Sequence, residues 1–340
     1  MGASQKYTVE DVAREADVST ATVSRVFSGS ERVNQDTTEK VLEAAKKLNY
    51  RPNRVASRLR AKGAQSKVLG LVVTDMQNPF FSDISRGVGE VAYENNNGVI
   101  VCNTDEDPKK ERFYLETLLS EKVAGLIIAP TTGNKEYLKS VKQTLPLVTV
   151  DRHLSDFDVD TVSVNNTQGA YLAVKRLLDL GHKRIGIVCG IKGISTTDER
   201  LDGYKKALAE NNIPVDKELI FHGNSKEKGG VKAVRHLLNI NTPPTAIFST
   251  NNLMTLGIYE ELYRQKVDIP DDIAIIGFDD MSWATALNPP LTAIRQPGFE
   301  LGATAVELLL KRLSNPNRPI SNTVLQPELI VRESCGVSVI

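Results

Sequence analysis

Just past a series of apolar runs stand side chains able to hold a ligand: Asp75, Gln77, Asp151, Arg152, Asn251, Asn252, Asp279 and Asp280. Carboxylates, amides and a guanidinium with aromatic rings nearby suit a neutral polyol such as a sugar. Its hydroxyls need paired donors and acceptors, and its apolar face stacks on rings. Any one of these Asp or Asn residues serves equally well as a helix cap or an Asx-turn. Their recurrence after successive runs is what points to a shared cleft. A second group lies in "DVAREADVSTATVSRV", where Thr20, Ala21, Ser24 and Arg25 fall on the outer face of a short helix. Small side chains let a helix enter the major groove of DNA. There an arginine can bind guanine O6 and N7 together, and Thr20 or Ala21 can touch a thymine methyl.

Signatures of catalysis are missing. The chain has no G-x-S-x-G elbow, no G-x-x-x-x-G-K-[ST] loop and no H-E-x-x-H pair. A dinucleotide site wants G-x-G-x-x-G directly after a strand. Here the apolar runs lead into "TDMQNPFF", "NTDEDPKK", "PTTGNKE" and "DRHLSDF", and the glycines of "GIVCGIKG" have the wrong spacing. The histidines at 153, 182, 222 and 236 lack metal-ligand spacing. Cys102, Cys189 and Cys335 are few and far apart, which predicts free thiols. No enzymatic activity, cofactor or metal is expected.

The 340 residues suffice for two or three domains, and 41% apolar with 25% charged residues is ordinary for a globular protein. No run is long enough for a membrane span, and the first residues lack the apolar core of a signal peptide, so a cytoplasmic chain is expected. The net charge of zero hides an asymmetry. Residues 1–67 carry 13 basic and 8 acidic side chains, a net of +5, and the remainder carries 29 and 34, a net of −5. Residues 46–67 hold eight basic side chains and no acidic one. A basic module on an acidic body predicts a polyanionic partner for the first part only.

The elements that must position these groups differ along the chain. Residues 8–48 predict three short helices. Thr8, Ser19 and Asn34 are their caps, and Asp11 completes a capping box with Thr8. Val9, Val12, Ala13 and Ala16 line the first helix, Val23 is the core residue of the second, and Val41, Leu42, Ala45 and Leu48 share a face of the third. A capped helix, a turn at Val18 and a second helix of small polar residues make a helix-turn-helix. From residue 68, eight apolar runs alternate with helical or polar segments: "VLGLVVTD", "GVIVCNT", "AGLIIAP", "LVTVDR", "RIGIVCG", "ELIFHG", "TAIFST" and "IAIIGFD". Continuous apolar strands read as parallel sheets buried on both faces. Two sets of four predict two doubly wound subdomains with a cleft at the carboxyl ends of their strands. The tail adds a strand, a helix and a final strand over "NTVLQPELIVRES".

Together, "TVEDVAREADVSTATVSRVFSG", "VLEAAKKLNYRPNRVASRLR", "NPFFSDISRG", "ERLDGY", "IIGFDD" and "PPLTAIRQP" resemble the lactose/galactose repressor family of bacterial transcription factors, over essentially the whole chain. The resemblance implies an all-α helix-turn-helix head-piece followed by an α/β periplasmic-binding-protein-like core. The expected division is a DNA-binding domain at 1–52, a hinge helix and linker at 53–67, and an effector-binding and dimerisation core at 68–340. Within the core, one subdomain takes about 68–161 plus 296–320, and the other about 162–295 plus 321–340.

By the same resemblance, a homodimer pairs its head-pieces on a near-palindromic operator. Thr20, Ala21 and Arg25 match base-reading positions. Ser19, Thr22, Ser24 and Asn34 match phosphate-contacting ones, and Arg32 is a further candidate. The segment Asn53–Arg60 matches a hinge helix that folds on DNA and lies in the minor groove. Leu59 is its apolar wedge and Arg60 lies in the same groove. The residues agree with this: Asn53 can cap a helix, and Val55, Ala56 and Leu59 share one face. Eight residues are too few to stay helical alone, and apolar wedges backed by arginine kink DNA from the minor groove.

In the core, Phe81, Asp151, Arg200, Asn251 and Asp279 match effector-holding positions, with Thr196 a further match. Relatives often carry a stacking ring at the position of Ser225, so stacking is expected from Phe80, Phe81 or elsewhere, and Asn252 stands where many members have Asp. The implied function is a DNA-binding repressor gated by a small, sugar-like ligand between the subdomains. One branch of the family instead binds a phosphorylated carrier protein through an arginine. Glu307 stands at that position and would repel phosphate. A sugar-binding carrier would suit the core alone, without the head-piece.

Overall fold

The computed structural model describes residues 7–27, 33–50 and 66–336. It divides between Ser66 and Lys67 into two compact units. In the first, three helices form: α1 (Val9–Glu15), α2 (Thr20–Phe27) and α3 (Gln35–Lys47). Thr8 and Asp11 make a reciprocal capping box at the start of α1. Asp17 turns left-handed (φ 53°), and Val18 N donates to Ala13 O at 2.9 Å, which ends α1 and redirects the chain into α2. Thr22 N donates to Ser19 Oγ at 3.1 Å, and Thr37 N to Asn34 Oδ1 at 2.8 Å, so both expected caps form. Val12, Ala13, Ala16, Val23, Val41, Ala44 and Ala45 make the core. Leu42 is the exception: 49% exposed, it faces solvent, and Ala44 lies in the core instead.

The second unit holds two six-stranded sheets. The first has the order β11-β5-β4-β3-β1-β2, built from β1 (Val68–Val73), β2 (Gly98–Asn103), β3 (Gly125–Ile128), β4 (Leu147–Val150), β5 (Asp160–Val164) and β11 (Asn322–Leu325). The second has the order β12-β10-β9-β8-β6-β7, built from β6 (Ile185–Cys189), β7 (Ile220–His222), β8 (Ala246–Ser249), β9 (Ala274–Phe278), β10 (Thr292–Arg295) and β12 (Glu328–Ile330). All pairs are parallel except β10 with β12. Helices cover both faces. On the first sheet, α4 (Pro79–Glu94) and α11 (Gly298–Ser314) pack on one side, and α5 (Pro108–Ser120) and α6 (Lys135–Thr144) on the other. On the second, α7 (Asn166–Asp179) and α8 (Ser195–Glu210) oppose α9 (Glu227–Leu238) and α10 (Asn252–Gln265). Among the described residues, no helix is long and apolar enough to cross a membrane.

Two details differ from the sequence reading. β5, "DTVSV", is absent from the eight apolar runs because alternate residues are only half buried. The tail expected as one final strand is two, split at Gln326–Pro327: β11 joins the first sheet beside β5, and β12 joins the second beside β10. The chain therefore crosses between subdomains near 165, 296 and 326, and the stretches 162–164 and 322–325 lie with the first sheet.

Candidate functional site

One cleft gathers the carboxyl ends of both sheets. Phe80, Phe81, Asp151, Thr196, Arg200, Asn251 and Asp279, all singled out from the sequence, line it together. Asp151 follows the fourth strand of the first half and Asp279 the fourth strand of the second. Both adopt left-handed backbone (φ 68° and 78°), a conformation Asp tolerates better than most residues, and both are buried. Burial pushes the Asp151 carboxyl up to about 6, against the pull of Arg152 and Arg200, and nearby Asp279 adds to the rise. Burial likewise raises Asp279, opposed by Arg200 and by hydrogen bonds from Gln296 and the Asn252 amide.

The cations are held from behind. Arg200 lies over the Phe278 ring at 3.7 Å and donates to Asn166 Oδ1 at 2.8 Å and Thr250 O at 2.7 Å. Arg152 binds Glu106 through both terminal nitrogens, at 2.8 and 2.6 Å. Thr196 lies in the first turn of α8, which has no side-chain cap. Phe80 and Phe81, both buried, meet edge to face at 5.3 Å in the first turn of α4. Asn78 holds that turn by accepting from Phe80 N at 3.0 Å.

Some strand-end residues serve the fold. Asn251 Oδ1 caps α10 by accepting from Met254 N at 3.0 Å, so it is the amide that it can offer a ligand. Asp280 accepts from Arg295 and Arg332 and ties two crossing segments. Fully buried Asn252 donates its Nδ2 to Asn78 Oδ1 across the cleft at 2.7 Å. A carboxylate at 252 has no proton for that bond, which accounts for the departure there. The sequence reading missed Thr74, Glu106, Thr197, Lys226 and Gln296, which also line the cleft. Thr74 and Gln296 follow β1 and β10 as directly as Asp151 follows β4, and that position was the available signal. Two buried polar atoms on the walls make no hydrogen bond within the protein, the hydroxyl Thr74 Oγ1 and the acceptor Gln296 Oε1. Arg152 Nε lies 3.4 Å from Asp151 Oδ2 in an ion pair.

In the head-piece, α2 presents Thr20, Ala21, Ser24 and Arg25 to solvent while Val23 anchors it to the core. Ser19 and Thr22 share a hydroxyl hydrogen bond of 2.9 Å at its start, and exposed Asn34 caps α3. Arg32, Asn53, Val55, Ala56, Leu59 and Arg60 lie outside the described residues.

Residues 8–53 match the bacterial regulatory proteins of the lacI family, and residues 174–335 match a periplasmic binding protein-like domain. The ribose operon repressor of Haemophilus influenzae is 38% identical over 329 residues, covering 96% of this chain and 98% of that protein. The chain belongs to the LacI family of bacterial regulatory proteins. Another family member, the HTH-type transcriptional repressor PurR of Photobacterium profundum, is 37% identical over the same shares. The lac repressor dimer bound to operator and the anti-inducer ONPF superposes with a TM-score of 0.85 at 28% identity, over 97% of this chain and 99% of that one. A LacI-family regulator from Enterococcus faecium with bound ribose gives 0.70 at 33% identity, over 78% and 98%. As a LacI-family member the chain is a DNA-binding transcriptional repressor with a small-molecule effector, in a family that is not enzymatic. The phosphoprotein mode is not favoured: Glu307, on α11, is exposed and pairs with Lys311 at 3.6 Å.

Proposed function

We propose that the effector is a neutral monosaccharide of the size of ribose, held by Asp151, Asp279, Arg200, Asn251 and Thr196 against Phe80 and Phe81. The observation that carries this reading is the state of the cleft's charges. Arg152 is matched by Glu106, and Arg200 faces Asp151 and Asp279, so the walls hold no surplus cation for a phosphate. What remains without a partner on the walls is a hydroxyl, Thr74 Oγ1, and an amide acceptor, Gln296 Oε1, uncharged groups of the kind that sugar hydroxyls pair with. The names of the ribose operon repressor and of the ribose-bound regulator support the same choice.

The repressor acts as a homodimer on a near-palindromic operator, inside the cell where that DNA lies. Edge strand β2 exposes Ile100 and Val101, with Met76 beside its end and Tyr93 on the adjacent α4. Such an apolar edge suits a second copy. On DNA, Thr20, Ala21 and Arg25 read bases. Ser19, Thr22, Ser24, Arg32 and Asn34 hold phosphates, and Asn53, Val55, Ala56, Leu59 and Arg60 occupy the minor groove. Sugar binding shifts the subdomains, separates the hinge segments and releases the operator, with a coupling of about 1–3 kcal/mol.

Calorimetry with D-ribose and D-ribose 5-phosphate tests the effector. D-ribose is expected to bind and to release operator DNA in a gel shift, and the phosphate to bind far more weakly. Asp279→Ala is expected to lose the sugar response and keep operator binding. Tighter binding of the phosphate, or a normal response from Asp279→Ala, overturns the assignment.

A further inference from the structure

Lys226 stands where a lysine is locally unfavourable. It is the N-cap of α9, makes no side-chain cap, and places a positive charge at the positive end of the helix dipole. Ser, Thr, Asp or Asn would serve that position better. The loop before it is nonetheless shaped to present it: Ser225 is left-handed (φ 58°), and Lys226 N donates to Asn224 Oδ1 at 3.2 Å. The partner is 151 residues away on the other subdomain. Lys226 Nζ lies 2.5 Å from Asp75 Oδ2, and Asp75 Oδ1 accepts from Gln77 N at 3.1 Å. The Asp75 side chain is only 8% exposed and that of Lys226 36%, so the pair sits at the lip of the cleft. Asp105, itself paired with Lys110, adds negative charge close to Lys226.

We propose that the Lys226–Asp75 ion pair is a latch across the mouth of the effector cleft, holding the two subdomains together directly and setting how fast an effector enters and leaves. The bond uses protein atoms alone and needs no bridging ligand. It is seconded by the Asn252–Asn78 hydrogen bond and by His153 N donating to Ser195 Oγ at 3.2 Å. Lys226 also takes over the lip beside Ser225, so closure there depends on charge rather than on a stacked ring. The proposal that the latch gates a sugar rests on the reading above; the latch itself does not.

The chain carries a built-in reporter. Trp283, its one tryptophan, packs against the apolar cores of both subdomains, so separating them exposes the ring. Emission of the full chain without added sugar should lie further to the red in Lys226→Met than in wild type. Asp75→Asn, which keeps an acceptor for Gln77 N but loses the charge, should give the same shift. The double variant Asp75→Asn with Lys226→Met should shift no further than either single one. In stopped flow, D-ribose should associate with Lys226→Met several-fold faster than with wild type. The proposal is overturned by unchanged emission together with an unchanged association rate in Lys226→Met, or by shifts of the two single variants that add in the double variant. If wild type binds no sugar, the effector reading fails and the emission comparison still decides the latch.

Discussion

At the scale of single residues, the cleft depends on buried carboxylates, Asp151 and Asp279, whose ionisation burial opposes. Asp151 is buried with a pKa of about 6, and a sugar hydroxyl donates best to its charged form. Effector affinity should therefore fall as pH drops through 6. If only the ionised form binds, the loss is roughly tenfold between pH 7 and pH 5. Calorimetry across that range checks this, and Asp151→Asn should bind more weakly with a flattened pH profile. The sign for folding is opposite. A carboxyl raised above its ordinary value of 3.8 contributes stability that is complete below that value and is lost as pH rises through about 6. The group that tunes effector binding thus costs the unliganded core some stability at neutral pH.

At the scale of elements, a few close approaches hold the cleft walls in place. α4 carries Phe80 and Phe81 and crosses α11 through paired glycines. A Cβ on Gly87 would lie 2.0 Å from Phe299 O, and one on Gly302 would lie 2.1 Å from Ile84 O. Neither carbonyl can yield without moving a helix. Gly302→Ala should cost about 1–3 kcal/mol, read as a lower midpoint in denaturant unfolding, and should weaken effector binding by displacing the phenylalanines. The Asn-Pro start of α4 and the Asp-Pro start of α5 are repeated devices: each side-chain oxygen accepts from the amide two residues on, and proline takes the first turn. These starts are readable from the sequence because they are local. β5 and β11 are not. Both are short, with half-exposed residues, so their pattern is weak and their identity depends on the neighbour they pair with.

At the scale of the whole molecule, three segments join the two subdomains of the core. Fully buried Asp160, at the start of β5, accepts from Arg312, Arg318 and Ser321 N, which ties the end of α11 and the entry to β11 to the first subdomain. In the second subdomain Asp280 ties β10 to the segment after β12 through Arg295 and Arg332. The remaining link runs to DNA. Residues 1–67 carry a net +5 on a chain of net zero, so operator affinity should fall steeply with salt. Leu59→Gly should weaken operator binding and reduce DNA bending while leaving effector affinity nearly unchanged. Equal bending by variant and wild type in a permuted-fragment assay would remove the wedge from the mechanism.

What the sequence determined by itself was whatever short-range chemistry encodes. Capping residues and apolar periodicity marked the head-piece helices. Continuous apolar runs marked the buried parallel strands. Asp, Asn and Arg immediately after those runs marked one cleft, because a parallel sheet collects its strand ends on one side. Tertiary structure alone decided what depends on partners distant in the chain. Pairing separated "NTVL" from "ELI" into different sheets, and packing turned Leu42 outward. Folding of the two halves onto each other gave Lys226, an ill-placed helix cap in its own loop, a carboxylate at residue 75. No local pattern carries that information, since the stabilisation of such a residue lies wholly in a bond across the cleft.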